Sequence, residues 1–314
     1  MIISTSLFYF SLNLFFIIIG LSEPCPIFQW LIIELAIIRL IPILVKRGGT
    51  RGVRRGLKYF LSQSPASLLV LFRVCVLNTR GALLILHLAL VFKLGLPPFH
   101  GWILSLGIEV GLGELGVILS VQKVLPLVLL TSFLNTYFFM LSLIFLIIIT
   151  LFICNNVSQL KQLLIFSSMG GRVWPALSQK GGRAWVEFMM VYTGLLLFTT
   201  FLFYSAKAIM VKDLINFSFY RKGILIITLF RMGGIPPFSG FFIKLILLKQ
   251  IVVLSAYLSF LVLSFSFIVL YIYIMLISVR GIITLNTYFS PNVRARGVVC
   301  VILNSPLLTT WLCC

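Results

Sequence analysis

Runs of about twenty apolar residues follow one another along nearly the whole chain, and only short segments separate them. A helix of that length spans about 30 Å, which is the thickness of the hydrocarbon core of a bilayer. The composition agrees, because 61% of the 314 residues are hydrophobic and only 10% are charged, a balance that soluble domains do not have. We therefore predict an all-α polytopic membrane protein that forms a single membrane domain over residues 1–314.

The apolar runs predict about 11 transmembrane helices, of which the fourth and the ninth are broken. They are expected at about 3–19, 27–45, 57–77, 81–106, 113–133, 136–154, 161–178, 184–205, 222–250, 252–280 and 297–313. Helices 1–5 and 6–10 form two five-helix units, at about 1–134 and about 135–280, and the last helix stands outside them. Because each unit has an odd number of helices, the second enters the membrane from the other side. This predicts an inverted repeat, the architecture of many ion transporters.

The basic residues are distributed unevenly over this predicted topology. Lys and Arg number 25 and Asp and Glu 6, which gives a formal net charge of +19. Of the basic residues, 14 fall in the loops of one side and 4 in those of the other, and such an excess marks the inside face. The N-terminus is therefore expected inside and the C-terminus outside. Because the charges lie between spans, we predict contacts with lipid headgroups, with cardiolipin as a candidate, and no nucleic acid partner.

Two of the predicted helices are interrupted by the same kind of sequence. Gly-Leu-Pro-Pro-Phe at 95–99 comes just after Lys93, and Gly-Ile-Pro-Pro-Phe at 234–238 comes before Lys244. Proline has no N–H to donate and clashes with the preceding turn, so neither segment continues a regular helix. A broken helix at membrane depth must lie inside protein or beside water. Two such breaks in corresponding positions of two halves indicate a transport site.

Four charged residues within the predicted spans are candidates for proton transfer, namely Glu34, Lys93, Lys123 and Lys244. A Lys at mid-membrane costs about 2.5–3.5 kcal/mol on insertion scales, so such a residue indicates function. We expect Glu34 to pair with Lys93, so that each controls the charge of the other. Two other interpretations stay open. Lys93 and Lys244 snorkel to the interface from helix ends, or Glu34 pairs with Arg39 and only assists insertion.

Other polar residues are interpreted with alternatives. His87 and His100 are candidate relays, because His changes its charge near neutral pH, although a lone His on an apolar helix also serves as a hydrogen-bonded structural residue. Glu109 and Glu114 are expected near the inside surface, either solvated or at a channel mouth.

The motifs of nucleotide, metal and haem sites do not occur in the sequence. There is no Gly-x-x-x-x-Gly-Lys-[Ser/Thr] loop, and the 6 cysteines show neither Cys-x-x-Cys spacing nor His partners at ligand spacing. We therefore predict that this chain holds no cofactor and no metal and has no redox active site.

Several short motifs occur in a defined order between about 30 and 250. They are Trp30 to Glu34 with Ile41-Pro42, Lys58-Tyr-Phe-Leu-Ser-Gln63, Lys93 to Trp102, Gln122-Lys123-Val-Leu-Pro126, Gln159-Leu-Lys161 with Phe166-Ser167-Ser168, and Gly233 to Lys244. In this order and spacing they resemble the family of mitochondrial NADH dehydrogenase subunit 2 (NADH-ubiquinone oxidoreductase chain 2). Its members are antiporter-like membrane subunits of respiratory complex I.

The resemblance implies a proton-translocating core subunit of an NADH:ubiquinone reductase. It implies a multi-pass protein of the mitochondrial inner membrane with its N-terminus in the matrix, and other membrane-arm subunits of complex I as partners. NADH, FMN, iron–sulfur clusters and ubiquinone are expected in other subunits. The proton-transfer residues of the family carry over to Glu34, Lys93, Lys123 and Lys244.

The chain departs from this family at several positions. A His often follows the two serines, but Gly171 stands there, which puts a relay through that position in doubt. Arg39 and Arg172 are unexpected charges within spans, and Lys249-Gln250 stands where acidic residues often follow the last lysine. Two other functions stay open, a stand-alone cation/proton antiporter and a scaffold subunit that moves no protons.

Overall fold

The structure, a computed structural model, is almost entirely helical. It describes residues 2–22, 25–46, 49–75, 80–132, 141–148, 159–177, 183–205, 210, 213, 219–234, 239–254 and 262. In this part of the chain the helices are α1 (Ile2–Ser22), α2 (Pro26–Lys46), α3 (Gly49–Cys75), α4 (Arg80–Leu94), α5 (Gly101–Glu109), α6 (Leu112–Leu119), α7 (Val124–Ser132), α8 (Leu160–Leu177), α9 (Arg183–Ser205), α10 (Phe219–Gly233) and α11 (Ser239–Leu254). A 3₁₀ helix (Val121–Lys123) joins α6 to α7, and residues 141–148 are also helical.

Three helical stretches within the described residues are long and apolar enough to cross a membrane. They are Pro26–Val45, Leu112–Leu130 and Trp185–Ser205. The middle stretch is the most enclosed, because 78% of its residues are buried, against 39% in each of the other two. The segment that carries Lys123 therefore forms the centre of the described fold, with α1 and α2, α4, α8 and α9 packed around it.

The close packing of the centre depends on a small residue in α6. A Cβ atom added at Gly116 would lie 2.5 Å from Oγ1 of Thr200 in α9, closer than any real Cβ contact. The hydroxyl of Thr200 donates to the carbonyl of Leu197 in its own helix, at 2.8 Å, and so is satisfied within the membrane interior. Glycine at 116 thus lets the two helices approach without displacing that hydrogen bond.

The spans predicted at 27–45 and 57–77 leave a loop between them, and this prediction is wrong for most of the loop, because α3 begins at Gly49. A φ of 51° at Gly49 belongs to the left-handed region, which glycine adopts readily and which permits the sharp turn after α2. The basic residues that follow are good helix formers and extend the helix beyond its apolar part. The orientation inferred from these residues stays a prediction, since a helix end carries its charges as a loop would.

The fourth predicted span is broken, as expected. α4 ends at Leu94, where Gly95 takes a φ of 69°, and the chain resumes as α5 at Gly101. α10 likewise ends at Gly233 before Gly234, which has a φ of 84°, and α11 begins at Ser239. Both breaks follow from residues that cannot extend a helix.

The fifth predicted span, at 113–133, is not the continuous helix that we expected. α6 ends at Leu119, and the 3₁₀ helix Val121–Lys123 intervenes before α7. The sequence signal is Pro126, which has no N–H for the carbonyl of Gln122 and so favours a helix that starts shortly before it. The break puts Lys123 at an interrupted helix end rather than on a regular helix.

The predicted spans at 136–154, 252–280 and 297–313 lie mostly or wholly outside the described residues. The count of 11 helices and the inverted repeat over about 1–134 and 135–280 therefore stay predictions.

Glu114 is buried rather than solvated, contrary to expectation. The residue is only 5% exposed and lies in the first turn of α6, where the backbone N–H of Gly111 donates to its carboxylate at 3.2 Å. The guanidinium of Arg55 in α3, which is 7% exposed, lies 3.5 Å from the same carboxylate. This buried ion pair fastens α3 to the start of the central span.

A second ion pair at the same end is open to solvent. Lys58 of α3 donates to the carboxylate of Glu109 at the end of α5, and each side chain is about one third exposed. The hydrogen bond from Lys58 lowers the pKa of Glu109 from its usual value, and burial opposes this only in part. Nearby, Lys161 donates to the carbonyls of Ile108 and Val110, at 2.9 and 2.6 Å.

The two pairs form a matched test of packing. We expect Glu114→Gln to reduce the stability of the folded protein by about 3–5 kcal/mol, because it leaves the charge of Arg55 buried without its counter-charge. Glu109→Gln removes an exposed partner of Lys58 and is expected to cost about 0–1 kcal/mol. Thermal inactivation of the purified assembly measures both changes. Equal losses in the two variants would show that the burial of the Arg55 pair has no consequence.

Candidate functional site

The expected contact between Glu34 and Lys93 is present. Nζ of Lys93 donates to Oε1 of Glu34 at 3.1 Å, which joins the end of α4 to the middle of α2. The lysine is 1% exposed, whereas the side chain of Glu34 is 23% exposed at the protein surface. The alternative partner of Glu34 is engaged elsewhere, because the guanidinium of Arg39 lies 3.4 Å from the ring centre of Phe16.

Lys123 reaches the same place from the central span. It is 4% exposed, and its Nζ donates to the backbone carbonyl of Lys93. The ammonium group also lies 4.4 Å from the ring centre of Trp102 in α5, a distance at which a cation is attracted to the face of an indole. The neighbouring Gln122 donates to the carbonyl of Ala36 in α2 at 3.1 Å. The break in the central span thus contacts Lys93 itself and α2, the helix that carries Glu34.

Every one of the last four carbonyls of α4 has a named donor. The N–H of Leu96 donates to Val91 at 3.1 Å, and Phe92 accepts from the N–H of Gly95 at 2.9 Å and from Nε1 of Trp102 at 3.0 Å. The last two carbonyls, those of Lys93 and Leu94, accept from the side chains of Lys123 and Arg172. The broken end of α4 is therefore satisfied without water, and cationic side chains supply the final two donors.

Arg172 is a member of this cluster whose role sequence reasoning missed. It is 3% exposed in α8, and besides the carbonyl of Leu94 it reaches the carbonyl of Leu119 at 3.4 Å and Oγ of Ser168 at 3.0 Å. The signal in the sequence was a lone charge in an apolar span. Its partners lie 78 and 53 residues away along the chain, so spacing alone did not reveal them.

Lys244 completes the second break in the same way. Its Nζ donates to the carbonyls of Met232 and Gly233 at the end of α10, at 2.9 and 2.7 Å. The ammonium group lies 5.8 Å from the ring centre of Trp174 in α8. A small cavity beside it is lined mainly by apolar residues, among them Tyr192 and Met232. Lys244 is thus held inside the protein rather than directed outward from a helix end.

The two histidines lie on either side of the break, at different depths. His87 is 1% exposed within α4, before Lys93. His100 is half-buried at the start of α5, and its Nδ1 lies 3.2 Å from the carbonyl of Pro98. The contacts that join Glu34, Lys93 and Lys123 run directly and through a backbone carbonyl rather than through either ring. A relay role for the histidines stays a prediction.

The position where the related family often has a His is filled by another ring. A Cβ atom at Gly171 would collide with Tyr192 of α9, whose hydroxyl donates to the carbonyl of Ser167 at 2.6 Å. Phe188 stacks on the same tyrosine at 5.5 Å between ring centres. Glycine at 171 therefore provides the space in which Tyr192 packs between α8 and α9.

This arrangement is suited to the movement of protons. The residues named above place amines, a guanidinium and a single carboxylate within an apolar interior, and amines bind and release protons. The part of the chain that the structure describes has no group of three or more His, Cys, Asp or Glu residues arranged to hold a metal ion.

Comparison with known proteins gives relatives at the level of sequence. The chain is 30% identical over 222 residues to the NADH-ubiquinone oxidoreductase chain 2 of Artemia franciscana, covering 68% of this chain and 70% of that protein. It is 25% identical over 241 residues to the protein of the same name from Canis rufus, covering 71% and 70%. No protein-family model matches the chain.

Solved structures share the fold. A chain of respiratory complex I from Thermus thermophilus, determined with bound aureothin, superimposes with a TM-score of 0.67 at 21% identity, over 81% of this chain and 65% of that one. A chain of the Mrp complex from Dietzia sp. superimposes with a TM-score of 0.68 at 13% identity, over 82% and 57%. This chain thus spans less than two thirds of either of these two solved chains.

The packing at Gly171 is tested against a second glycine. We expect Gly171→Ala to reduce stability by about 1–3 kcal/mol, because the added methyl group displaces Tyr192 from a filled space. Gly194→Ala in the neighbouring helix α9 is the control, since no atom lies within 4 Å of the added carbon, and it is expected to change stability by less than about 1 kcal/mol. The amount of assembled protein after graded heating compares the two. A stable Gly171→Ala variant would mean that Tyr192 moves without cost.

Proposed function

Because the chain belongs to the family of NADH-ubiquinone oxidoreductase chain 2, we propose that it is a proton-translocating, antiporter-like core subunit of respiratory complex I. Oxidation of NADH and reduction of ubiquinone take place on other subunits, which hold NADH, FMN, iron–sulfur clusters and ubiquinone. This chain couples that reaction to proton movement across the mitochondrial inner membrane. The observation that carries the proposal is the buried cluster in which Lys93 contacts Glu34 by its side chain and Lys123 by its backbone.

The charges of this cluster favour exchange of a proton over permanent storage of one. Glu34 stabilises the ammonium form of Lys93 from a partly exposed position, so a displacement of its carboxylate leaves a buried cation without compensation. The neutral amine of Lys93 is then favoured, and its proton passes to Lys123, whose Nζ is held against the same residue. The carboxylate acts as the movable counter-charge. Lys93 and Lys123 are the stations, the two groups that hold the proton in turn.

Lys244 is the corresponding station of the second half. Its Nζ donates to the last two carbonyls of α10, and the residue lines the small cavity between α9, α10 and α11. We assign it to the exit half-channel of the proton path. We assign His87 and His100 as relays, one on either side of the first break, because a neutral imidazole has both a hydrogen-bond donor and an acceptor.

The scaffold alternative has no reason to retain this cluster. Lys123 supplies a donor to the end of α4, but a subunit that only spaces its neighbours would gain from an apolar residue at 93, because burial of a lysine in a membrane costs about 2.5–3.5 kcal/mol on insertion scales. The stand-alone antiporter would use the same cluster without the other subunits of complex I. Co-purification decides between the complex I subunit and the stand-alone antiporter. A complex I subunit is recovered with flavin and iron–sulfur subunits, and a free antiporter is not.

The lysines are tested one at a time in the assembled complex. We expect Lys93→Met, Lys123→Met and Lys244→Met each to lower the rate of proton translocation by about 10²-fold or more, because each removes a group that gives and takes the proton. Lys249→Met is the matched control, since Lys249 lies exposed on the same helix as Lys244. Proton uptake into sealed vesicles, measured together with NADH oxidation, gives the result. An assembled Lys123→Met complex that translocates protons at the normal ratio contradicts the proposal and favours the scaffold.

Orientation is tested with two cysteines, one at the start of α2 and one at the start of α3, which the topology places on opposite sides of the membrane. We expect a cysteine introduced at the exposed Thr50 to react with an impermeant maleimide from the matrix side, because the basic residues at the start of α3 mark the inside face. The native Cys25 is exposed at the start of α2 and is expected to react from the intermembrane space. Mass spectrometry after digestion identifies the labelled residue. The reverse pattern would invert the proposed topology.

A further inference from the structure

Arg172 holds the broken ends of two helices together with one guanidinium group. NH1 donates to the carbonyl of Leu94, the last residue of α4, and NH2 lies 3.4 Å from the carbonyl of Leu119, the last residue of α6. The planar fork of an arginine is suited to this geometry, because its donors point in fixed directions and reach two acceptors at once. The hydroxyl of Ser168, one turn earlier in α8, fixes the fork at 3.0 Å.

The two helix ends are those that position the lysines of the cluster. Leu94 directly follows Lys93, and Leu119 precedes the 3₁₀ helix that ends with Lys123. Removal of the guanidinium would leave both carbonyls in an apolar interior without their donor, and the two ends would be free to separate. The separation between Lys93 and Lys123 therefore depends on Arg172.

The charge of Arg172 acts on the same lysines. Lys123 and Arg172 donate to the carbonyls of consecutive residues, Lys93 and Leu94, so their positive charges lie side by side. An arginine keeps its charge in proteins, whereas a lysine can lose its proton. The carboxylate of Glu34 contacts Lys93, whereas Lys123 and Arg172 donate to backbone carbonyls. Only the lysines can reduce the repulsion, because either one can become a neutral amine. The two lysines together then carry one positive charge rather than two.

We infer that Arg172 is a positioning residue of the proton path, which fixes the spacing of Lys93 and Lys123 and supplies a permanent positive charge that prevents both from being protonated together. The inference rests on the proposed function and deepens it. Without the fixed charge both lysines can keep their protons, and a pair of occupied stations cannot pass a proton from one to the other.

Three substitutions at one position separate the charge from the hydrogen bonds. Arg172→Gln keeps an amide donor without the charge, Arg172→Lys keeps the charge without the fork, and Arg172→Met keeps neither. We expect proton translocation per NADH oxidised to be lost in the Gln and Met variants and to be restored only in part in the Lys variant, because its amine lacks the two-pronged fork and can lose its proton. A purely structural residue would be rescued by Gln as well as by Lys. Normal translocation by an assembled Arg172→Gln complex would overturn the inference.

A second pair of variants tests the charge with Arg172 left in place. Ser168→Asp puts a carboxylate within reach of the guanidinium and neutralises it by pairing, whereas Ser168→Asn offers a neutral acceptor of similar size. We expect Ser168→Asp to reduce translocation as Arg172→Gln does, and Ser168→Asn to remain active. Normal translocation by the assembled Ser168→Asp complex would also overturn the inference.

The outcome of Lys123→Met separates the proposed function from the role of Arg172. If that variant loses translocation while Arg172→Gln and Ser168→Asp keep it, the proposed function stands and the role of Arg172 is wrong. If Lys123→Met itself translocates normally, the proposed function is wrong.

Discussion

An apolar interior contains no water to pair with the backbone, so a helix that ends inside it needs donors from elsewhere in the protein. At the end of α4 these donors come from the turn itself, from α5, from the break in the central span and from α8. The side chains that supply them include the cations Lys123 and Arg172. The same side chains therefore pair the carbonyls at the end of α4 and form the charged cluster. A change in one of these two features changes the other.

The second break shows the same solution with fewer parts. Lys244 donates to the last two carbonyls of α10. A cation is well suited to this position, because the C-terminal end of a helix carries a partial negative charge. By its contacts Lys244 corresponds to Lys123 rather than to Lys93, although the repeated Pro-Pro-Phe motif associates it with Lys93. The motif indicates where a helix is broken, and the contacts indicate which charge completes the break.

The sequence predicts those parts of the site that depend on the type of a residue and of its neighbours in the chain. Proline and glycine predict the breaks after Lys93 and before Lys244, and mid-membrane charge predicts that Glu34 and Lys93 meet. The interruption beside Lys123 does not follow from the apolar pattern, because its signal, Pro126, lies beyond the break and inside a continuous apolar run. The burial of Glu114 and the reach of Arg172 depend on helices that are far apart in the chain, and periodicity carries no information about such contacts.

The acceptors that hold Lys123 and Arg172 are backbone carbonyls, and no amino-acid substitution can remove a backbone carbonyl. The acceptor of each contact is therefore present whatever side chain the residue carries. A lineage needs to retain only the few donors and the breaks that expose the acceptors, while apolar residues elsewhere exchange freely with one another. We expect this to be why a chain that is only 30% identical to a relative can keep the same helical framework. Divergence of this kind should be slowest at the donors and fastest on the surface that faces lipid.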